Sequence, residues 1–131
     1  MNNPFQQHGA FSWCELMTSD PDAAKTFYGR LFGWEMEDRP MAGMVYTVLS
    51  AGGQEVGGLT AIPNSAPGMQ PTWGTYVTVD DADATAALAA ELGGKVLMPP
   101  RDIPDVGRFT LIQDPQGAIF SAIAYRNPRS A

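Results

Sequence analysis

The chain has 131 residues, a formal net charge of −6, one cysteine and one histidine. Hydrophobic residues at 44% and charged residues at 17% suit one folded domain, or two small modules sharing a core, and exclude a disordered chain. One cysteine excludes an intrachain disulfide, the acidic balance disfavours nucleic acid and anionic membrane, and a lone histidine cannot build a two-His metal site.

Residues 1–9 read as a polar leader with no basic start and no apolar run. No apolar stretch approaches the ~20 residues of a membrane span, so the expectation is a soluble cytoplasmic protein. Phe11 to Met17 follows as a strand. Asp20 is placed to cap a helix, with Pro21 at the first helical position, where its missing N–H costs nothing. Ala23, Ala24, Phe27, Tyr28, Leu31 and Phe32 make one wide apolar stripe, and Gly33 stops the helix. Three strands are expected next: Trp34 to Glu37, Met44 to Leu49 and Gln54 to Ala61, with Ala51-Gly52-Gly53 as a hairpin turn.

Pro63 to Pro71 is dense in breakers and reads as a linker. A second strand–helix unit begins at Thr72. Shifting the sequence by sixty positions superimposes Trp13 on Trp73, Thr18 on Thr78, Asp20 on Asp80, Ala24 on Ala84 and Gly33 on Gly93. The strand ends near Val79 and Asp80 is the expected cap. Ala84, Ala87, Leu88 and Leu92 form the expected stripe, ended by Gly93-Gly94. Lys95 to Met98, Arg108 to Ile112 and Ala118 to Tyr125 complete the unit, the last two joined by the turn Asp114-Pro115-Gln116-Gly117. The order is βαβββ twice, an α+β class: residues 10–62, a linker at 63–71, and residues 72–126. Two such modules side by side can curl into an eight-stranded cup with the helices outside.

Trp13-Cys14-Glu15-Leu16-Met17-Thr18-Ser19-Asp20, Phe27-Tyr28 and Leu31-Phe32-Gly33-Trp34 resemble the first module of the vicinal-oxygen-chelate superfamily. That superfamily holds glyoxalase I, the bleomycin-resistance proteins and the extradiol dioxygenases. Val79-Asp80-Asp81, Gly93-Gly94, Pro99-Pro100, Gly107-Arg108 and Asp114-Pro115-Gln116-Gly117 resemble its second module. The Trp-x-Glu-Leu start is similar to a branch of small glyoxalase-related bacterial proteins.

The resemblance implies a cup that holds a divalent metal, chelating two neighbouring substrate oxygens. It places the family's four ligands at Trp13, at Gly57 or Gly58, at Gly74 or Trp73, and at Ser121. None is an ordinary metal ligand, so no metal and no cofactor are expected. The resemblance also implies a homodimer and a small organic molecule as partner.

Strand alternation puts Trp13, Glu15 and Met17 on one face and Cys14 and Leu16 on the other. The apolar face belongs to the helix, so Trp13 and Glu15 point into the cup and Cys14 is expected as an inert core thiol. Glu15 is the candidate catalytic residue, since a carboxylate in an apolar cup suits general acid–base work. The bland reading pairs it with Arg108 or a neighbouring strand. Trp13 and Trp73 are candidates to stack on a flat ligand, against a bland reading as core filling. Tyr46, Thr75 and Ser121 are expected to face inward and supply hydroxyls. His8 is expected to be solvated. The Asp80, Asp81 and Asp83 cluster is explained by a helix N-terminus rather than by calcium.

Three functions fit. The first is metal-independent lyase or isomerase-type chemistry with Glu15 as base. The second is non-catalytic binding of a small molecule or drug, as in resistance proteins. The third is a metal-dependent glyoxalase or dioxygenase with displaced ligands drawn from Glu15, Glu55 and a partner chain.

Overall fold

A computed structural model describes residues 3–41, 44–62 and 68–126, so residues 63–67 of the expected linker lie outside the described residues. The chain divides into two compact units. One is Trp13–Gly74; the other is Met1–Ser12 with Thr75–Ala131. They are called here the first and the second module. The expected α+β class and the doubled βαβββ order are both present.

The first module uses β1 (Phe11–Thr18, whose first two residues fall in the other unit), α1 (Pro21–Phe32), β2 (Glu35–Met41), β3 (Met44–Ala51) and β4 (Gln54–Ala61). Its strands lie in the order β2-β3-β4-β1, with β1 and β4 parallel and the rest antiparallel. The start of α1 follows from chemistry at its first turn. The Asp20 side chain accepts from the Ala23 N–H, and Pro21 sits where no N–H is required. Gly33 ends the helix at φ 72°, a left-handed conformation that glycine adopts without steric cost.

Leu16, Leu49 and Leu59 form the core beneath α1, with Ala24, Tyr28, Trp34 and Met36 packed against them. The wide stripe expected on α1 is therefore only partly used. Phe27, Leu31 and Phe32 are each more than half exposed, and no residue of α1 is fully buried. A helix resting on four short strands buries one column of side chains, and the flanking rings pack on one another instead. Tyr28 stacks on Trp34 at 5.8 Å and meets Phe27 edge-on at 5.0 Å.

The second module uses β5 (Thr72–Thr78, whose first three residues fall in the other unit), α2 (Ala82–Glu91), β6 (Lys95–Ile103), β7 (Gly107–Gln113) and β8 (Ile119–Tyr125). Its order is β5-β8-β7-β6, with β5 and β8 parallel. Val79, Ile112 and Ala122 form its core, joined by Ala89, Phe120 and Ala124.

Two expectations are corrected in α2. The cap is Asp81, whose side chain accepts from the Ala84 N–H, not Asp80. The buried residues are Ala82 and Ala86, whereas Leu88 and Leu92 are exposed. Apolar residues surround much of this helix, so hydropathy does not orient it. Alanines let the backbone approach the sheet closely, and the leucines are left outside.

β2 and β6 run further than expected, through Pro40 and through Pro99-Pro100. Each ends its module's strand order, and β6 shifts register between Val96 and Met98 and again between Met98 and Arg101. Outer strands and bulges are where a proline's missing N–H is tolerated. The leader also acquires a place. Gly9 N–H donates to the Thr78 carbonyl at 2.7 Å, Thr78 N–H to the Ala10 carbonyl at 2.8 Å, and the Thr78 hydroxyl to the Pro4 carbonyl at 2.6 Å. Among the described residues no helix is long and apolar enough to cross a membrane.

Candidate functional site

Pairing decides which side chains share a face. In the first module Leu16 lies opposite Leu59 and Glu15 opposite Gly58. Leu16, Leu59 and Leu49 meet α1. Glu15, Trp13 and Gly58 therefore occupy the other face, and on β3 so do Val48, opposite Gly58, and Tyr46 two residues earlier. The indole N–H of Trp13 donates to the Tyr46 hydroxyl at 2.8 Å. That hydroxyl lies where a side chain at position 58 would begin: a Cβ built there falls well inside contact distance of the Tyr46 Oη, Cζ and Cε1 atoms. Trp13, Glu15 and Tyr46 are each half-buried.

Arg39 is the cross-strand partner of Tyr46, and sequence reading did not single it out. Its guanidinium donates to Glu55 at 2.7 Å and also to Glu37. Glu55, then Glu37, raise its pKa above the ordinary arginine value. On the helix side Asp38 accepts from the Thr47 hydroxyl at 2.7 Å and from Lys25 at 3.2 Å. These two donors, Thr47 first, hold its carboxyl below the ordinary range.

In the second module Tyr76 pairs with Ser121 and Val77 with Ala122. Ala122 belongs to the α2-side core, so Tyr76 and Ser121 share the opposite face, and both are buried. Thr75 is corrected by this register. It is exposed and shares its face with Val77, not with Ser121. Tyr76 holds the place expected for Thr75, because sequence alternation is blind to a slip of one residue.

Trp73 is likewise placed elsewhere. It meets Tyr28 and Trp34 edge-on, at 5.4 and 6.0 Å, and its indole N–H donates to the Tyr28 hydroxyl at 3.2 Å. It thus joins the aromatic cluster around α1. Cys14, expected in the core, is exposed. His8 accepts from the Asp80 N–H through Nδ1 at 3.0 Å, so it anchors the leader to the end of β5. Arg108 donates to Asp83 at 2.8 and 3.1 Å and to Asp102 at 3.2 Å.

The pairs Glu15–Gly58 and Tyr76–Ser121 also bear on the positions that the resemblance implies. They make Gly58 the counterpart of Ser121 and Gly74 the counterpart of Trp13. The metal positions that the resemblance implies then hold an indole N–H, two glycines and one hydroxyl. An indole N–H is a donor only, and glycine brings no side-chain ligand atom, so these side chains do not fit a divalent cation. Among the described residues no three His, Cys, Asp or Glu side chains come together in a way that could hold a metal ion.

Comparison with known proteins gives a consistent result. The model of the Glyoxalase/Bleomycin resistance protein/Dioxygenase superfamily matches residues 10–121. CFP32 of Mycobacterium tuberculosis, provisionally named a glyoxylase, is 49% identical over 116 residues, which cover 88% of this chain and 44% of that protein. The anthracycline biosynthesis protein DnrV of Streptomyces peucetius is 34% identical over 127 residues, covering 86% and 46%. The chain thus spans less than half the length of the curated relatives it matches. Among solved structures, a methylmalonyl-CoA epimerase in complex with methylmalonyl-CoA and ammonium superposes with a TM-score of 0.67 at 19% identity, covering 95% of this chain and all of that one. At that identity the likeness shows the fold alone.

Proposed function

The chain belongs to the Glyoxalase/Bleomycin resistance protein/Dioxygenase superfamily, and from that premise we propose that it handles a small organic molecule without a metal, on the Trp13, Glu15 and Tyr46 face of the first module. The observation that carries this reading is the Trp13–Tyr46 hydrogen bond seated over Gly58. It fills two inherited ligand positions with an aromatic pair. Such a surface suits a flat organic ligand, with a few polar atoms to orient it. The name of the anthracycline biosynthesis relative supports the same ligand class.

Glu15 lies beside Gly58 on that face, and we assign proton transfer to it. The chemistry consistent with it is isomerase- or lyase-type. The carboxylate removes a proton from a carbon next to a carbonyl and returns it to that carbon or a neighbour. Binding without chemistry, as in the resistance proteins, is the second reading, and the acidic balance of the chain together with the Trp13 and Tyr46 rings favours cationic aromatic compounds for it. A homodimer is part of the proposal, and sedimentation velocity of the purified chain checks it.

Glu15→Gln separates the two readings. It preserves shape but removes the base, one acceptor oxygen becoming an NH2 donor. Under the catalytic reading the variant binds ligand normally and loses turnover by about 100-fold or more. Unchanged turnover would remove Glu15 from the chemistry. Elemental analysis of protein purified without chelator, finding a stoichiometric divalent metal, would overturn metal independence.

A further inference from the structure

β4 lies between β3 and β1 in the first module. A side chain on β3 can reach one on β1 only by crossing β4, a span of roughly 10 Å at ordinary strand spacing. Tyr46 makes that crossing at Gly58. Its Oη, Cζ and Cε1 atoms all occupy the space that a β-carbon at position 58 would need. At the far side the phenol oxygen accepts the Trp13 indole N–H at 2.8 Å. Glu15, the register partner of Gly58, stands two residues along the same strand from Trp13.

We propose that Tyr46 is a positioning residue and Gly58 the specificity-determining one. The missing side chain at Gly58 admits the phenol, and the phenol fixes the Trp13 indole in one orientation as an aromatic wall for the ligand. The role of that wall rests on the metal-independent ligand reading above. The physical basis is preorganisation. A half-buried indole free to rotate must be ordered when a ligand binds, and one already held by a hydrogen bond has lost that freedom beforehand. The bond also satisfies the indole N–H, so the ring face can meet an apolar surface without stranding a donor. A larger residue at position 58 and this aromatic pair exclude each other, which ties the loss of an inherited ligand side chain to the gain of an aromatic one.

The test has two arms. The first follows hydrogen exchange of the Trp13 indole N–H by NMR, with its resonance assigned by loss in Trp13→Phe. Tyr46→Phe keeps the ring and removes the acceptor, and Gly58→Ala keeps the hydroxyl and displaces it. Each is expected to speed exchange by about tenfold or more. Unchanged exchange in both variants overturns the positioning role. The second arm titrates proflavine, a flat cationic dye, by its own absorbance. Tyr46→Phe and Gly58→Ala are each expected to weaken binding by about tenfold, and the double variant no further, because both act through one hydrogen bond. Faster exchange with unchanged proflavine affinity overturns the role of the indole as a ligand wall. A native chain that binds no proflavine overturns the cationic-aromatic binding reading, and the wall for such ligands with it. The exchange arm alone then decides whether Tyr46 holds the indole.

Discussion

The first module carries Trp13, Glu15 and Tyr46 around Gly58 on the sheet face away from α1, whereas the second carries Tyr76, Phe109 and Ser121 at the corresponding places, with Gly74 answering to Trp13. The central pairings correspond, Glu15–Gly58–Val48 in one module and Tyr76–Ser121–Leu111 in the other, while register shifts fall in β3–β4 of the first and β6–β7 of the second. What differs is that the glycine sits under a hydrogen-bonded aromatic pair in one module and is replaced by a buried serine in the other. The helix attachments differ in sign as well. In the first module the helix supplies the cation, Lys25, to Asp38 on β2; in the second it supplies the anion, Asp83, to Arg108 on β7. A Coulomb attraction depends on the product of the charges, so pinning a helix to its sheet leaves the polarity free. A repeated backbone thus constrains hydrophobic register tightly and side-chain chemistry hardly at all.

Glycine substitutions give the largest expected break in that comparison. A Cβ at Gly107 would collide with the Ala124 carbonyl oxygen and press on the Tyr125 backbone, neither of which can move alone. The three atoms nearest to a Cβ at Gly58 all belong to the Tyr46 side chain, which can swing aside. Gly107→Ala is therefore expected to lose about 3 kcal/mol and Gly58→Ala about 1 kcal/mol, measured by urea unfolding. Equal losses would make the Tyr46 pair a structural element rather than an adaptable site.

The caps give a middle-sized effect. Asp20→Ala and Asp81→Ala are each expected to cost about 1 kcal/mol. Asp80→Ala is expected to stay within about 0.5 kcal/mol, since its carboxylate is exposed and stands 3.7 Å from the His8 Nδ1, which already accepts the Asp80 backbone N–H. A larger loss at Asp80 than at Asp81 would restore the sixty-residue symmetry at the helix start.

The smallest effect concerns pH. Asp38 titrates below the ordinary carboxylate range in the folded chain, held there by Thr47 and then Lys25. A carboxyl depressed on folding contributes stability that is complete above its unfolded pKa and is lost as pH falls through that value toward the folded one. Asp83 follows the same course through Arg108. Thr47→Val removes the first of the Asp38 donors, so NMR titration should show the Asp38 pKa rising toward the ordinary value while Asp83 stays depressed. Movement of both would mean that the two attachments are coupled.

Much of the fold was legible because its signals are local. Asp20 with Pro21 marks a helix start and Gly33 its end through backbone chemistry that neighbours in sequence supply. The βαβββ order follows from those marks, and alternation alone put Trp13 and Glu15 on one face. The site was legible only in part. Trp73 and Thr75 flank Gly74 on either side, yet one packs beside α1 and the other turns to the α2 side. Strand phase at β5 is set by pairing with β8, and sequence alternation carries no zero point. The mixed apolar faces of α2 raise the same difficulty, since a helix greasy on two sides is oriented only by what it meets.

The sequence by itself determined the element order and the family, because each is written in residue type and spacing along the chain. Only the tertiary structure decided that Tyr46 fills the gap at Gly58, that Trp13 donates to it, and that Tyr76 rather than Thr75 accompanies Ser121. Those facts depend on which strand lies between which, and on the few ångströms of room that a missing β-carbon leaves.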